Sequence, residues 1–306
     1  MSDGQFIAGD WGTSHLRLFL CDAGGATRDA VSGPGAAQAG GRFASIFASL
    51  TARWRTGQGE LPAVLCGMVG STLGWIQAPY VPCPAQAEQI AAACVSLDGG
   101  DVRVVPGLSC RNRFDAPDYL RGEETQILGA LVLSTQLHHG RRLLCLPGTH
   151  TKWVLIEDGC IREFFSAPTG ELFAVLRDHS VLVREHGVGE DDQAFDKGVA
   201  DFNALPQVSL LHRLFEVRSR QLAGGLPPPA ASAYLSGMLI ASDVHGALRA
   251  MSGCYTGTPV VVGSSKLTNL YSRVCALGGC DVQELDGVDA SLHGLAWVQR
   301  MTAHAA

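Results

Sequence analysis

The sequence predicts an α/β protein made of two related domains, and three observations lead to this prediction. A strand–turn–strand pattern over residues 7–22 returns over residues 143–158. Short apolar runs alternate along the chain with segments whose apolar residues recur at helical spacing, which is typical of an α/β fold. The chain has 306 residues, of which 46% are hydrophobic and 17% charged. It is therefore a globular chain, long enough for two domains with a sizeable core.

The internal repeat is the strongest signal of domain organisation. A shift of 136 residues aligns the turn, the apolar frame and the acidic residue that follows: Gly12 with Gly148, Thr13 with Thr149, 18–20 with 154–156, and Asp22 with Asp158. The carboxylate before the first turn has no acidic counterpart, because Asp10 aligns with Leu146. We expect two related α/β domains, each opening with a β-hairpin whose turn points into a shared cleft.

The first half of the chain predicts a hairpin followed by alternating strands and helices. Apolar residues alternate at Leu16, Leu18 and Leu20, which indicates a strand, and they recur at helical spacing from Phe43 to Trp54. The expected strands are 6–10, 16–21, 29–32, a strand within 62–71 that ends in glycines, and 102–108. The expected helices are 41–55, 85–96 and one within 121–137, whose acidic first turn suits the helix dipole.

The second half repeats this order. The expected strands are 143–146, 153–156 and 161–165, then one leading into Gly263, and a late strand at 282–285. A Pro-rich linker at 226–229 precedes a long helix. A helix follows Gly263, and residues 290–303 form a final helix.

Composition and charge exclude several classes of function. The net charge is −6 and there is no basic block, which argues against nucleic acid as the main partner. No apolar run reaches 18 residues, so we expect no transmembrane span. The first residues, MSDGQF, lack the features of a secretory signal. None of the ten cysteines forms a C-x-x-C pair, so we expect no zinc site and reduced core thiols in a cytoplasmic protein.

The two turns carry the pattern of a phosphate clamp. Backbone N–H groups and hydroxyls of such turns cradle phosphate oxygens without formal positive charge. The candidate phosphate-binding residues are Gly12, Thr13, Ser14, Gly148, Thr149 and His150. Asp10 is the candidate Mg²⁺ ligand, since hard cations take oxygen ligands. A single turn of this kind is usually an ordinary hairpin turn, but the occurrence of two such turns in one chain favours a role in nucleotide binding. Neither a Walker-A motif nor G-x-G-x-x-G occurs.

The segment VVVGSSKLTNLY, residues 260–271, is a candidate adenosine site. It predicts a strand, a glycine turn and a helix, and ligands of α/β domains bind at such strand ends. The candidate residues are Gly263, Ser264, Leu267 and Tyr271. The alternative is a plain strand-to-helix turn.

Together these segments resemble the actin–hexokinase–heat-shock ATPase superfamily. Four further motifs, CGMVGSTLGW (66–75), RGEETQILGA (121–130), PGTHTKWV (147–154) and TGELFAVL (169–176), resemble the 2-dehydro-3-deoxygalactonokinase family of bacterial sugar-acid kinases. The resemblance implies two duplicated ribonuclease-H-like (actin-like ATPase) domains, 1–136 and 137–306, with a nucleotide and sugar cleft between them. It also implies that the final helix packs back on the first domain.

The resemblance implies a reaction and its cofactors. The γ-phosphoryl group of ATP would pass, with Mg²⁺, to the 6-hydroxyl of 2-dehydro-3-deoxy-D-galactonate. Partners would be the small sugar acid and ATP, without nucleic acid or membrane. The alternatives are a kinase for 2-dehydro-3-deoxygluconate or an aldonate, a non-sugar ATPase of the superfamily, and a sugar-responsive regulator, which would need a DNA-binding module.

The resemblance also implies a catalytic base and a sugar-acid site. The base is Glu123 or Glu124, and only one of the two can face the hydroxyl, because adjacent helical residues point about 100° apart. We favour Glu123; the alternative role of both is to stabilise the helix N-terminus. The candidate sugar contacts are Gly67, Gly70, Ser71 and Trp75. Arg113, Arg121 and Lys152 are candidates for the substrate carboxylate, and of these Arg121 and Lys152 lie inside the motifs.

Overall fold

The computed structural model describes residues 4–55, 61–97, 100–183 and 191–303. Its strands are β1 (Phe6–Trp11), β2 (His15–Cys21), β3 (Thr27–Pro34), β4 (Ala63–Gly67), β5 (Tyr80–Pro82), β6 (Val95–Ser96), β7 (Val102–Val104), β8 (Gly107–Arg111), β9 (Pro117–Leu120), β10 (Arg141–Leu146), β11 (Thr151–Glu157), β12 (Cys160–Ala167), β13 (Val260–Gly263) and β14 (Gln283–Asp286). Its α-helices are α1 (Ala36–Ala39), α2 (Phe43–Arg55), α3 (Ala87–Ala92), α4 (Glu123–Leu133), α5 (Thr169–His179), α6 (Asp192–Ala204), α7 (Leu210–Arg213), α8 (Glu216–Leu222), α9 (Ala231–Ala250), α10 (Ser265–Leu277) and α11 (Gly287–Ala303).

Two sheets have the same strand order. The first runs β3-β2-β1-β4-β7-β6 and the second runs β12-β11-β10-β13-β14. In both, the hairpin strands stand in the order third, second, first, and later strands continue beside the first. β4 is parallel to β1 and β13 is parallel to β10. The predicted α/β fold with two duplicated ribonuclease-H-like domains is therefore confirmed. A small third sheet has the order β5-β8-β9.

Contacts between residues divide the chain into two units. The first comprises the described residues of Met1–Arg141, Val154–Phe165 and Leu285–Ala306, and the second those of Arg142–Trp153 and Ser166–Glu284. Within the first unit α11 packs against α4, β1 and β4. The domain limits expected from the sequence, 1–136 and 137–306, stay a prediction.

Three predicted elements differ from the structure for local reasons. The expected helix 41–55 is α2, which begins at Phe43, because Gly40 and Gly41 adopt left-handed φ angles of 56° and 77° and end a short helix before it, α1. The expected strand 102–108 is divided between β7 and β8, which lie in different sheets; Pro106 stands between them. The expected helix 85–96 is confined to α3, and Val95 and Ser96 pair with β7 instead.

Each unit has its own apolar core. In the first, Trp11, Leu16 and Leu18 of the hairpin pack with Phe43 and Phe47 of α2. In the second, α9 lies at the centre, with Tyr234, Leu235 and Met238 among the buried residues. Within the part of the chain that the structure describes, every helix is too short or too polar to cross a bilayer.

Candidate active site

The first predicted phosphate turn, residues 12–14, joins β1 to β2 and is closed by its own backbone. The N–H of Gly12 donates to the carbonyl oxygen of His15 at 2.9 Å. The turn is also held from outside, because the N–H of Ala36 at the start of α1 donates to the Gly12 carbonyl oxygen at 2.9 Å. The two residues after Gly12 remain exposed, so their hydroxyls are open to a ligand.

Gly35 lets α1 come this close to the turn. A Cβ on Gly35 would lie 2.3 Å from the carbonyl oxygen of Thr13 and 2.3 Å from the carbonyl carbon of Ser14. The φ of Gly35 is −70°, which any residue can adopt. Close approach, and not backbone conformation, therefore requires glycine here.

The second predicted phosphate turn, residues 148–150, is held in the same way by α5. The N–H of Glu171 donates to the carbonyl oxygen of Thr149 at 2.9 Å. A Cβ on Gly170 would lie 2.4 Å from the carbonyl oxygen of Gly148. Gly170 therefore packs against the second turn in the same way that Gly35, the glycine before α1, packs against the first. The duplication therefore includes these two glycines, which lie outside the aligned hairpins.

Asp10 lies at the end of β1 and forms an ion pair that sequence reasoning missed. It stands opposite Arg17 in the hairpin register, and its Oδ2 accepts from Arg17 Nη2 at 2.5 Å. The side chain of Asp10 is 27% exposed. Alternation along β2 points to an outward residue at position 17, but the register was needed to place it against Asp10.

Gly67 and Gly122 bring Asp10 and the start of α4 together. Both glycines have left-handed φ angles, 90° and 106°, which other residues rarely adopt. A Cβ on Gly67 would lie 3.5 Å from Asp10 Oδ1, and a Cβ on Gly122 would lie 3.4 Å from the Cα of Gly67. The carboxylate of Asp10 and the N-terminus of α4 are therefore neighbours across Gly67.

The two glutamates at the start of α4 lie in different surroundings. Glu124 is fully buried, and its Oε2 accepts from the N–H of Gly122 at 2.6 Å, while Oε1 finds no hydrogen-bond partner among the described residues. Burial raises the pKa of Glu124 to about 8, and the charge of Glu123 adds to the shift. Glu123 is only half-buried, and its Oε2 accepts from the N–H of Arg121 at 3.1 Å.

The predicted sugar contacts Gly70, Ser71 and Trp75 belong to one tight loop after β4. The N–H groups of Trp75 and Ile76 both donate to the carbonyl oxygen of Val69, at 2.8 and 3.3 Å. The ring of Trp75 is partly buried, with its centroid 6.3 Å from that of Trp11. The ring therefore anchors the loop in the core, and its contact with a sugar stays a prediction.

Arg121 is engaged with the same loop. Its Nη2 donates to the carbonyl oxygens of Ala78 and Pro79 at 2.9 and 3.3 Å. The guanidinium carbon lies 4.3 Å from the centroid of the Tyr80 ring, within the range of a cation–π contact. A Cβ on Gly70 would lie 2.8 Å from Arg121 Nη1. Arg121 thus joins the loop to the start of α4.

His150 and Lys152, at the second turn and the start of β11, differ in exposure. Nε2 of His150 lies 2.9 Å from Oε2 of Glu171, and both side chains are about half exposed, at 51% and 56%. Lys152 is buried, and its Nζ donates to the hydroxyl of Ser166 at 2.6 Å. Arg113, the third candidate cation, is paired with Glu163.

A cavity of about 420 Å³ adjoins the second turn within the second unit. Three predicted nucleotide contacts, Gly148, Leu267 and Tyr271, line it together. α5, α6, α9 and α10 supply the other walls, with residues that sequence reasoning missed: Phe173, Arg177, Asp191, Asp192, Phe195, Ser232, Ser236, Leu239, Lys266 and Leu270. Such a volume, with a mainly apolar surface and a set of hydroxyl and charged groups, is typical of a small-molecule site.

The other two predicted adenosine residues form the corner beside this cavity. Gly263 ends β13, and a Cβ there would lie 3.6 Å from the carbonyl oxygen of Pro147. Ser264 is the N-cap residue of α10. The glycine turn therefore lies next to the strand end that leads into the second phosphate turn.

A Mg²⁺ site would have to be completed by the nucleotide. No group of three or more His, Cys, Asp or Glu side chains among the described residues could hold a metal ion. Mg²⁺ in phosphotransferases needs only one or two carboxylates, because phosphate oxygens and waters supply the other ligands. Asp10 fits this requirement, since it is partly exposed and Arg17 engages only its Oδ2.

Comparison with known proteins matches nearly the whole chain. A family model for 2-keto-3-deoxy-galactonokinase matches residues 10–298. The 2-dehydro-3-deoxygalactonokinase of Escherichia coli K12 is 34% identical, with 98% of each chain covered. A Rhizobium meliloti 1021 protein assigned the same activity is 36% identical, with 97% of each covered. A crystal structure of a Sinorhizobium meliloti protein assigned as this kinase has a TM-score of 0.86, at 33% identity, covering 96% of this chain and 98% of that one.

The duplicated sheet order and these relatives define the class first: the chain has the actin-like ATPase fold that sugar kinases use. More particularly, it belongs to the 2-keto-3-deoxy-galactonokinase family.

Proposed function

We propose that this protein transfers the γ-phosphoryl group of ATP to the 6-hydroxyl of 2-dehydro-3-deoxy-D-galactonate. The observation that carries the nucleotide half is the cavity that joins Gly148 of the second turn to Leu267 and Tyr271 of α10. Membership of the family supplies the acceptor, because the relatives are named for phosphorylating this sugar acid.

The second unit binds ATP in this proposal. The apolar side chains of α5, α6, α9 and α10 take the base and ribose, and Lys266 at the cavity wall contributes positive charge. The backbone of residues 148–150 meets phosphate oxygens, as turns with exposed N–H groups do. Gly170 supports this part of the site by letting α5 hold the turn.

The first unit supplies the groups for phosphoryl transfer. Phosphoryl transfer depends on positioning, on neutralising charge and on a base for the acceptor hydroxyl. The hydroxyls of Thr13 and Ser14 and the N–H groups of their turn would meet phosphate oxygens. Asp10 would hold Mg²⁺, which when bound neutralises phosphate charge. Arg17 keeps the Asp10 carboxylate oriented through its ion pair.

Glu123 is the proposed base. A base must be ionised and must reach the substrate hydroxyl. Glu123 is half-buried at the start of α4, which lies close to Asp10 across Gly67. Glu124 is fully buried, and its raised pKa of about 8 keeps it protonated at neutral pH. Glu124 therefore serves the start of α4, and Glu123 accepts the proton of the 6-hydroxyl.

The sugar acid would lie against the loop of Gly67, Gly70 and Ser71 in the first unit. Arg121 supports this loop and is our candidate for the substrate carboxylate, because an arginine can grip a carboxylate with two N–H groups. Lys152 stays the second candidate. Replacing each with Met tests the roles: the KM for the sugar acid should rise for the residue that binds the carboxylate.

The ten cysteines are all free thiols, which supports the proposal that the protein acts in the reducing cytoplasm.

The experiment that tests the function is a panel of acceptors in an ADP-release assay. The purified protein should release ADP with 2-dehydro-3-deoxygalactonate and much more slowly with its gluconate epimer, with aldonates or without acceptor. Equal ADP release without any sugar acid would favour a non-sugar ATPase. Preference for another acid would favour a kinase of different specificity.

A further inference from the structure

Asp243 is a carboxylate of the second unit that has no role in the proposed reaction. It lies on α9, and its carboxylate accepts three hydrogen bonds from three other elements. Oδ1 accepts from Trp153 Nε1 at 2.9 Å, and Oδ2 accepts from Thr169 Oγ1 at 2.7 Å and from the Tyr271 hydroxyl at 2.7 Å. The donors belong to β11, α5 and α10.

The donors form a buried polar cluster of neutral groups. Trp153 and Tyr271 are 1% and 2% exposed, and Thr169 is 7% exposed. The hydroxyl of Thr151, also fully buried, lies 2.7 Å from that of Tyr271. Tyr271 donates its hydroxyl proton to Asp243, so its oxygen is free to accept from Thr151, which also interacts with the Asp243 carboxyl. Burial raises the pKa of Asp243, while these donors oppose the shift.

The elements joined by Asp243 are those around the nucleotide cavity. Thr169 is the residue before Gly170, which holds the second phosphate turn. Thr169 and Tyr271 both line the cavity, as do Ser232, Ser236 and Leu239 of α9 itself. β11, which carries Trp153, is the strand that leaves the turn.

We propose that Asp243 is a positioning residue of the nucleotide site, which fixes the distance between the second phosphate turn and the wall that α10 presents to the adenosine. This inference rests on the proposed ATP site. Asp243 lies behind the cavity wall and acts through Thr169 and Tyr271, without touching the nucleotide. Its loss should weaken ATP binding and leave the sugar acid unaffected.

The test replaces Asp243 with Asn and measures ADP binding by calorimetry together with both KM values. The amide of Asn presents N–H groups to donors, so at least one of the three bonds is lost, whichever way the amide turns. We expect the Kd for ADP and the KM for ATP to rise about 10-fold, with the KM for the sugar acid unchanged.

The matched control is Asp201→Asn. Asp201 is also a partly buried carboxylate of the second unit, which accepts from the Tyr234 hydroxyl at 2.8 Å and pairs with Lys197 and Arg220. It does not line the nucleotide cavity. Asp201→Asn should lower the Tm and leave the Kd for ADP unchanged.

Tyr271→Phe keeps the ring at the cavity and removes only the hydroxyl that donates to Asp243. It therefore tests the same hydrogen bond if Asp243→Asn does not fold. It should weaken ADP binding, and the double variant should lose less than the sum of the two single losses. Wild-type affinity for ADP in either folded Asp243→Asn or Tyr271→Phe would overturn the inference. Failure of the wild-type protein to bind ADP would instead overturn the proposed nucleotide site.

Discussion

Gly170 and Gly148 are in such close contact that a Cβ on Gly170 would lie 2.4 Å from the Gly148 carbonyl oxygen. The start of α5 therefore presses directly on the second phosphate turn. Gly35 has the same relation to the first turn, because a Cβ on Gly35 would lie 2.3 Å from the carbonyl oxygen of Thr13. In each duplicated half, the shape of the turn depends on a glycine that follows the third strand.

Gly170→Ala should displace the second turn and impair nucleotide use. The added methyl group cannot fit against backbone atoms that cannot move aside independently. We expect kcat/KM for ATP to fall about 10-fold or more, measured by ADP release at saturating sugar acid. Gly35→Ala should act in the same direction through the first turn.

The control for both variants is Gly246→Ala. Gly246 is exposed in the last third of α9, and a Cβ there meets nothing within 4 Å. Removing a glycine from a helix interior should stabilise the protein by about 0.5–1 kcal/mol and leave activity unchanged. Normal kinetics in Gly170→Ala and Gly35→Ala would show that neither turn binds phosphate.

Asp10→Asn should abolish most activity with little loss of stability. Its ion pair with Arg17 is partly exposed, at 27% and 45%, and such pairs contribute about 0–1 kcal/mol. A lost metal ligand should lower kcat about 100-fold or more. Asp22→Asn is the matched control, because Asp22 pairs with Arg28 in the next turn at similar exposure, 28%. If both variants keep wild-type kcat, Asp10 does not hold the metal.

The two glutamates of α4 should respond differently to substitution. Glu123→Gln should lower kcat severely, because the amide cannot accept the hydroxyl proton. Glu124→Gln should retain far more activity, because burial keeps Glu124 protonated near neutral pH. The reverse order of kcat values would exchange the two roles.

Glu124 also predicts a dependence of stability on pH. Its folded pKa, about 8, is above the ordinary 4.5, so the unfolded chain ionises first as the pH rises. Below about pH 4.5 both states are protonated and Glu124 costs nothing. Between pH 4.5 and 8 the free energy of unfolding of the wild type should fall relative to Glu124→Gln, by about 1.4 kcal/mol per pH unit at most. Denaturant unfolding of both proteins at pH 5, 6.5 and 8 measures this, and parallel curves would contradict it.

The crossing of α4 and α11 predicts a stability defect in Gly294→Ala. A Cβ on Gly294 would lie 2.0 Å from the carbonyl oxygen of Thr125, so the two helices would have to separate. We expect a loss of about 1–3 kcal/mol in the free energy of unfolding, with Gly246→Ala again as the control. An unchanged denaturation midpoint would mean that α11 does not pack on α4 at this distance.

The features that the sequence predicted correctly are those carried by short stretches. The hairpin strands, the repeated turn, α4 and the step from β13 to α10 each have a local pattern of apolar period, glycine and acidic residues. The repeat also predicted two related α/β domains, because each half opens with the same kind of hairpin.

The features that were missed depend on residues distant in the chain. Arg17 was placed against Asp10 only by the strand register. Asp243 meets Trp153, 90 positions away, and Thr169, 74 positions away, and a lone aspartate on a helix gives no sign of this. Gly35 and Gly170 did leave a signal, since each comes within two residues after a proline that ends or directly follows a third strand, Pro34 and Pro168. That signal becomes readable only when the two halves are compared past their hairpins.

The central claim is tested most directly by identifying the product. The protein is incubated with Mg²⁺, ATP and 2-dehydro-3-deoxy-D-galactonate, and the product is examined by ³¹P and ¹³C nuclear magnetic resonance. We predict one new phosphate ester whose phosphorus couples to carbon 6, formed in equal amount with ADP. Release of ADP with inorganic phosphate alone, or a phosphate on another oxygen, would contradict the account.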